Sequence, residues 1–553
     1  MSGAWLWLLV PVAPLLAAVG LMIWRERAIG WLWLACVPAL ALVIQPMPMP
    51  MLDLPMLWDG VRWGADDELS RAWLAFTALL WGCAGIFASS SQKDDPRRLR
   101  FWTFWLLALA GNLLLIIATD ALSFYLGFSA MSLAAYGLIV HQGGPGPRRA
   151  GRLYLQLAIC GEMALLAGLM LRSHAAQGDF SFAAWQALPM DGLTLGLLLI
   201  GLGLKAGFWP LHVWLPLAHP AAPAPASAVL SGAMLKAGLL GIWRCLPESN
   251  PLLSNWADVL LVMGIFGAVY PALLGLIAGK AKAVLAYSSV SQMGYLVMLL
   301  ALAWRHPEQL QAMTVVLMLY GVHHGLAKGA LFLAAGLVHA GRLPRIGWLL
   351  LALPALAIVG LPLTSGGAVK TALKDVWHAG EFEGWLMWLS LSSLTTSLLL
   401  IRALWLLYRD ARDAPACRPP LAQLLPWALL SSCALLLPWL CPALREPMLH
   451  GLYPAGIWAA LWPLLLALLL AGVALKGGWK VPARLANLPN PALSLSLHIR
   501  RLVLRPPMAV PTVHPNVSRW RQRERRWNRF WNTGALATSA WLLAALLWLG
   551  WLW

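Results

Sequence analysis

Five ionisable side chains stand where such groups are expensive. Glu162, Lys205, Lys236, Lys328 and Lys370 each lie within a long apolar run, accompanied by His212, His219, His323, His324 and His339. A charge near a bilayer centre is costly, so each is a functional candidate by default. Burial and neighbouring charges set how tightly a lysine holds its proton. Such lysines can therefore load and release protons, and histidine titrates near neutrality. The chemistry these types suggest is a proton relay. The structural alternative is a set of snorkelling or paired lysines. Four lysines in separate runs favour the relay. A metal site is a poorer reading: His323 and His324 are adjacent and point apart on a helix, and no HExxH pattern exists.

Local context says how these residues would be held. Lys205 sits in LGLKAGFWPLHVWLP, where Gly207, Pro210 and Pro216 predict a broken helix. Broken spans near the midplane free backbone groups for ions or water. His212 lies just past that break, and His219 is followed by a short proline-rich connection, PAAPAP. Lys236 falls in the middle of the next run, after Ser227 and Ser231, which are placed to hold water near it. His324 and Lys328 are four apart and share a helix face. Ser288, Ser289, Ser291, Gln292 and Tyr295 either line a wet path or bond helix to helix. Lys370 follows GLPLTSGGAV, where Gly366 and Gly367 invite a second break, and Lys374 and Asp375 are rival pairing partners.

The elements carrying these residues are membrane helices. The chain has 553 residues, 60% hydrophobic and 11% charged, against roughly 25% charged in soluble domains. Apolar runs of spanning length recur near 4–24, 28–46, 72–90, 101–119, 120–140, 151–172, 192–215, 224–246, 256–278, 283–304, 311–339, 347–370, 384–408, 423–443, 456–475 and 534–553. They are apolar on all sides, unlike the alternating strands of a barrel. Arg25 and Arg27 follow the first run, so it reads as a span with its N-terminus outside and not as a signal peptide. The net charge is +18, and 12 Lys/Arg fall in 476–531 against one acid, Glu524. Other basic connections lie at Arg25/Arg27, 93–100, Arg148/Arg149/Arg152, Lys280/Lys282, Arg342/Arg345 and Arg409/Arg412. The alternate connections hold acids such as Asp53, Asp59, Asp66, Asp67, Glu68, Glu381 and Glu383. The positive-inside rule makes the basic side cytoplasmic and places both termini outside. Trp520, Trp527 and Trp531 among arginines suit an interfacial helix on anionic lipid headgroups, or a solvated basic loop. Nucleic acid is excluded as a partner because the basic segment leads straight into a span. Seven scattered cysteines without a CxxC pair, no P-loop and no GxGxxG give no cofactor site in the chain.

The stretch KAGFWPLHVWLPLAHPAAPAPASAVLSGAMLKAGLLGIWR resembles the antiporter-like subunits of respiratory complex I. So do LAYSSVSQMGYL, HHGLAKGALFLAAGLVHAG and GLPLTSGGAVK. Lysine within SGAMLKAG is most similar to group 4 hydrogenase and formate hydrogenlyase membrane subunits and to Mrp D-type antiporter subunits. The resemblance implies two inverted five-helix repeats with broken helices, and proton translocation within a larger complex. Two departures stand out. Phe128 and Ser129, in FSAMSLAAY, replace the Trp–Glu pair whose glutamate tunes the seventh-span lysine in that family, and Leu217 stands where aspartate is common. Glu162, in LAICGEMALLAG, is the candidate replacement. A charge pair at about 4 Å is worth about 4 kcal/mol at a dielectric of 20, and the idea needs Glu162 within about 10 Å of Lys205.

These readings predict an all-α polytopic protein of the bacterial inner membrane with about 14–16 transmembrane helices. Its parts are N-terminal helices (1–95), two repeats (96–250 and 251–410), C-terminal helices (411–475), a basic segment (476–533) and a final span (534–553). The expected function is proton translocation in a complex I-like or hydrogenase-type redox assembly, with electron transfer in other membrane subunits' company and none in this chain. A cation/proton antiporter subunit and a non-pumping scaffold are the alternatives.

Overall fold

Hydrocarbon offers a backbone N–H no partner, so a chain this apolar must satisfy its peptide groups within each segment. The computed structural model describes residues 3–46, 49–58, 60–246, 251–378 and 386–478, with the single positions 522 and 526. Among them, 13 helical stretches are long and apolar enough to cross a membrane. The first, Gly3–Val43, holds α1 (Leu9–Trp24), a 3-10 segment (Arg25–Cys36) and α2 (Val37–Val43). It turns at Arg25, whose φ is 49°, and the 3-10 segment packs back on α1. One helical stretch thus accounts for the two runs 4–24 and 28–46. A small antiparallel ribbon, β1 (Leu52–Asp53) with β2 (Arg62–Trp63), leads to α3 (Glu68–Ser91), whose N-terminus Asp67 caps.

Two sets of five elements follow. The first comprises α4 (Arg98–Ile117), α5 (Ala121–Ile139) and α6 (Pro145–Ala175), then, after the short α7 (Phe182–Gln186), two broken helices. One is α8 (Gly192–Ala206) with α9 (Leu215–Ala221); the other is α10 (Ala224–Gly232) with α11 (Ala237–Cys245). The second set comprises α12 (Pro251–Ile277), α13 (Ala281–Arg305), α14 (Leu310–Ala340), the broken pair α15 (Arg345–Val359) and α16 (Ser365–His378), and α17 (Leu386–Asp410). Five crossings is an odd number, so the second set starts from the opposite face. Then come α18 (Leu421–Leu440), α19 (Pro442–His450) and α20 (Pro454–Lys476).

The breaks have local causes. α8 stops at Gly207, in the left-handed region at φ 72°, and Pro216 sits in the first turn of α9, where its missing N–H costs nothing. α15 stops at Gly360, with φ 93°, and Thr364 Oγ1 accepts from Gly367 N at 3.1 Å as α16 begins. The break thus falls at 360–364 and not at Gly366 and Gly367. Those glycines let α16 pass the end of α15: a Cβ on Gly366 would meet the Ala357 carbonyl oxygen at 1.7 Å. The run 347–370 is therefore two half-helices. The α10–α11 break, a 3-10 turn at Met234–Lys236, was not expected.

The connections sort onto two faces. Arg98 pairs with Glu26, and His141 Nε2 donates to Asp95 Oδ2 at 2.9 Å. Arg342 N donates to the Cys417 carbonyl at 2.9 Å, and Lys282 Nζ to the Ala222 carbonyl at 2.6 Å. These tie the basic connections into one face. On the other, Arg62 pairs with Asp53 at 2.8 Å and Arg305 with Asp258 at 2.9 Å. There the Arg244 guanidinium donates to the carbonyls of Leu115 (2.8 Å), Ala118 (2.7 Å) and Ile116, capping the end of α4. The expected basic segment 476–533 beyond Gly478, with Trp520, Trp527 and Trp531, and the expected span 534–553 lie outside the described residues, apart from the single positions noted. Asp59, Glu381 and Glu383 also lie outside them.

Candidate functional site

Each helix break delivers a lysine to the interior. Lys205 is in the last turn of α8, where carbonyls lose their helical partners. One of them, on Leu204, is taken by Trp214 Nε1 at 3.0 Å. Lys205 Nζ donates to Ser132 Oγ at 2.7 Å and to the Tyr154 hydroxyl at 3.4 Å, and lies 5.6 Å from the Phe128 ring centroid. Glu162 and Lys205 line the same small cavity with Ser132 and Tyr154. The Glu162 carboxyl faces the hydroxyls of Ser129 and Ser132 and feels the charge of Lys205. No ion pair within hydrogen-bonding reach joins them among the described residues, and Glu162 Oε1 has no partner. The acid therefore sits beside Ser129, the position where the resemblance led us to expect a glutamate.

Lys236 lies at its own break, 0% exposed. Its Nζ donates to the Ser231 carbonyl at 2.5 Å, a group that the break frees. Beside that carbonyl, the Ser231 hydroxyl starts a polar row that runs to Lys328. Ser231 Oγ meets Ser289 Oγ at 2.9 Å, Ser289 Oγ donates to the Leu285 carbonyl at 3.2 Å, and Lys328 Nζ donates to the same carbonyl at 3.0 Å. Lys328 also reaches Ser288 Oγ at 2.8 Å. His324 is fully buried, within the fields of Lys236 and Lys328, and neither ring nitrogen has a partner. His219 has the same character, stacked on Phe332 with centroids 4.6 Å apart. Buried polar groups rarely go unpaired, and water is their usual partner.

The line continues through His323, whose Nδ1 bonds Ser365 Oγ at 2.7 Å at the start of α16. Lys370 lies further along that helix. Its Nζ donates to the freed Val359 carbonyl at 2.7 Å and to Ser393 Oγ at 3.0 Å. Asp375 instead pairs with His450, at 3.6 Å. Gln292 bonds Thr396 Oγ1 at 2.7 Å and accepts from the Tyr320 hydroxyl.

Other expected members are placed less centrally. Ser227 Oγ donates to the His219 carbonyl at 2.9 Å, so it does not face Lys236. His212 lies on the 3-10 turn Leu211–Trp214 with Nδ1 unpartnered. His339 bonds its own helix, at the Ala335 carbonyl. Ser291 bonds the Ala268 carbonyl at 2.5 Å. No hydrogen bond joins the Lys205 group directly to Lys236 among the described residues. Sequence reasoning missed Ser132, Tyr154, Ser365 and Ser393. Ser132 carried a faint signal, three residues after Ser129 and so on the same helix face.

Comparison with known proteins agrees with this layout. The family model described as "NADH:quinone oxidoreductase/Mrp antiporter, TM" matches residues 118–396. Hydrogenase-4 component B of Escherichia coli is 30% identical over 308 residues, 53% of this chain and 45% of the relative. NAD(P)H-quinone oxidoreductase chain 4 1 of Synechococcus elongatus is 32% identical over 333 residues, 56% of this chain and 60% of the relative. The chain spans about half the length of the curated relatives it matches. A chain in the solved Mrp complex from Dietzia sp. DQ12-45-1b shares the fold, with a TM-score of 0.65 at 20% identity over 83% of this chain and 99% of that one.

Proposed function

Because the chain belongs to the NADH:quinone oxidoreductase/Mrp antiporter transmembrane family, we propose that it carries protons as one membrane subunit of a larger redox-linked assembly. The observation that carries this reading is a buried polar row: Lys236 bonds the Ser231 carbonyl, and the Ser231 hydroxyl, Ser289 and the Leu285 carbonyl lead on to Lys328. Structural lysines need single acceptors; they do not need to flank one buried polar row. The relay comprises Glu162, Lys205, Lys236, His324, Lys328, His323 and Lys370, with Ser231, Ser288 and Ser289 as the path between. His212 and Gln292 stand at its margins. Glu162 supplies the counter-charge that tunes Lys205.

Hydrogenase-4 component B and the NAD(P)H-quinone oxidoreductase chain are by name parts of assemblies, and this chain holds no redox centre of its own in the reading. Electron transfer in partners would drive it. The basic face is cytoplasmic, in a bacterial inner membrane, by the positive-inside rule.

The test uses the full chain in liposomes with an internal pH dye under an imposed potential. Lys205→Ala and Lys236→Ala should abolish proton flux without loss of folded protein, and Glu162→Gln should reduce it. Full flux in both lysine variants sinks the relay.

A further inference from the structure

The polar line ends beside a cavity that the relay itself does not explain. Lys370 lines a space of about 550 Å³ with Lys374, Asp375, Ser393, His450 and Tyr453. Two of these come from the C-terminal helices, beyond the family-matched residues 118–396. α19 lies on the acidic face, since Cys441, just before it, feels the charge of Glu68. From there α19 packs against α16. Its terminal Gly451 approaches so closely that a Cβ would sit 2.9 Å from Thr371 Oγ1. The turn thus brings His450 to within 3.6 Å of Asp375, and both side chains are about half exposed, at 50% and 48%.

We propose that this cavity is the outward proton port and that His450, held by Asp375, is its terminal acceptor. The proposal rests on the relay reading and adds an outlet built by α19. The Lys370 ammonium gives its proton to cavity water, the water passes one to an imidazole nitrogen of His450, and the imidazolium releases it to bulk water. Lys370 is left as the neutral amine, to be reloaded from the Ser365–His323 side. The geometry suits each step. Lys370 is partly buried and held by two acceptors, whereas His450 is open to solvent. The groups facing His450 are Asp375, Lys374 and Lys370 of α16 and Tyr453, whose ring centroid lies 6.3 Å away. Asp375 is the one anion among them, and it stabilises the imidazolium at the mouth.

Proton flux through the full chain in liposomes tests this. His450→Ala should lower flux roughly a hundredfold, at the low end for loss of a positioned proton-transfer group. Millimolar imidazole on the cavity side should restore the flux, because the cavity admits it; it should not rescue Lys236→Ala. A His450→Ala chain with wild-type flux, or a loss that imidazole does not restore, overturns the port. If Lys236→Ala abolishes flux while His450→Ala leaves it intact, the port fails and the relay stands. A wild-type chain without flux overturns both.

Discussion

Ser289→Ala is the sharpest probe of the central chain. The Ser289 hydroxyl is fully buried, 2.9 Å from Ser231 Oγ and 3.2 Å from the Leu285 carbonyl oxygen. Removing it leaves the buried Ser231 hydroxyl without its partner. An unsatisfied buried hydrogen-bonding group costs about 1–3 kcal/mol. If the relay passes through this hydroxyl, the same cost is added to the barrier, and 1.36 kcal/mol is a factor of ten in rate. The expected loss of proton flux is therefore roughly 5- to 150-fold. Ser291→Ala is the matched control. Ser291 lies on the same helix, is equally buried and donates to the Ala268 carbonyl at 2.5 Å. Its removal should lower stability by a similar amount and leave flux within about twofold, because it lies off the chain. Dye-based flux in liposomes and thermal unfolding in detergent separate the two effects. The reasoning is refuted if Ser289→Ala conducts like wild type, or if Ser291→Ala loses flux to the same extent.

Gly360→Ala should destabilise the protein by about 1–3 kcal/mol through its φ of 93°. It should also displace Lys370, whose Cδ lies 2.5 Å from the added Cβ, so unfolding temperature and flux should fall together. On the basic face, burial pushes the His141 imidazole down against the pull of Asp95. Burial pushes Asp95 up, but hydrogen bonds from Arg97 and His141 outweigh it and leave its carboxyl below the usual range. Both folded-state shifts are downward, so their stabilisation is present above the unfolded values and is lost on acidification. The His141 share should fade below about pH 6.5 and the Asp95 share below about pH 4. Thermal melts of wild type and His141→Gln across that range should converge at low pH; parallel curves would refute the assignment.

How much of this was legible depended on whether local chemistry or packing set each feature. The Lys205 break was legible because Gly207, Pro210 and Pro216 act through their own backbones. The Lys236 break was not. No proline marks it, and it occurs in an almost wholly buried segment, where neighbouring helices set the path. Gly366 and Gly367 serve close approach and not the break, a difference that sequence cannot show. The short ribbon at Leu52–Asp53 and Arg62–Trp63 has two-residue strands, too brief for any periodicity. In the site, charged residues announced themselves in apolar runs. Their hydroxyl partners, Ser132, Tyr154, Ser365 and Ser393, did not, because uncharged polar residues are common between membrane helices.

The helix that carries Lys236 is anchored at both ends. Arg244 clamps its acidic-face end to the carbonyls of Leu115, Ile116 and Ala118. Two residues before its other end, the Ala222 carbonyl that closes α9 is held by Lys282. Both ties resist sliding of the helix as a unit. Its freedom is confined to the irregular stretch at Met234–Lys236, where a crankshaft rotation would swing the lysine while both journals stay seated.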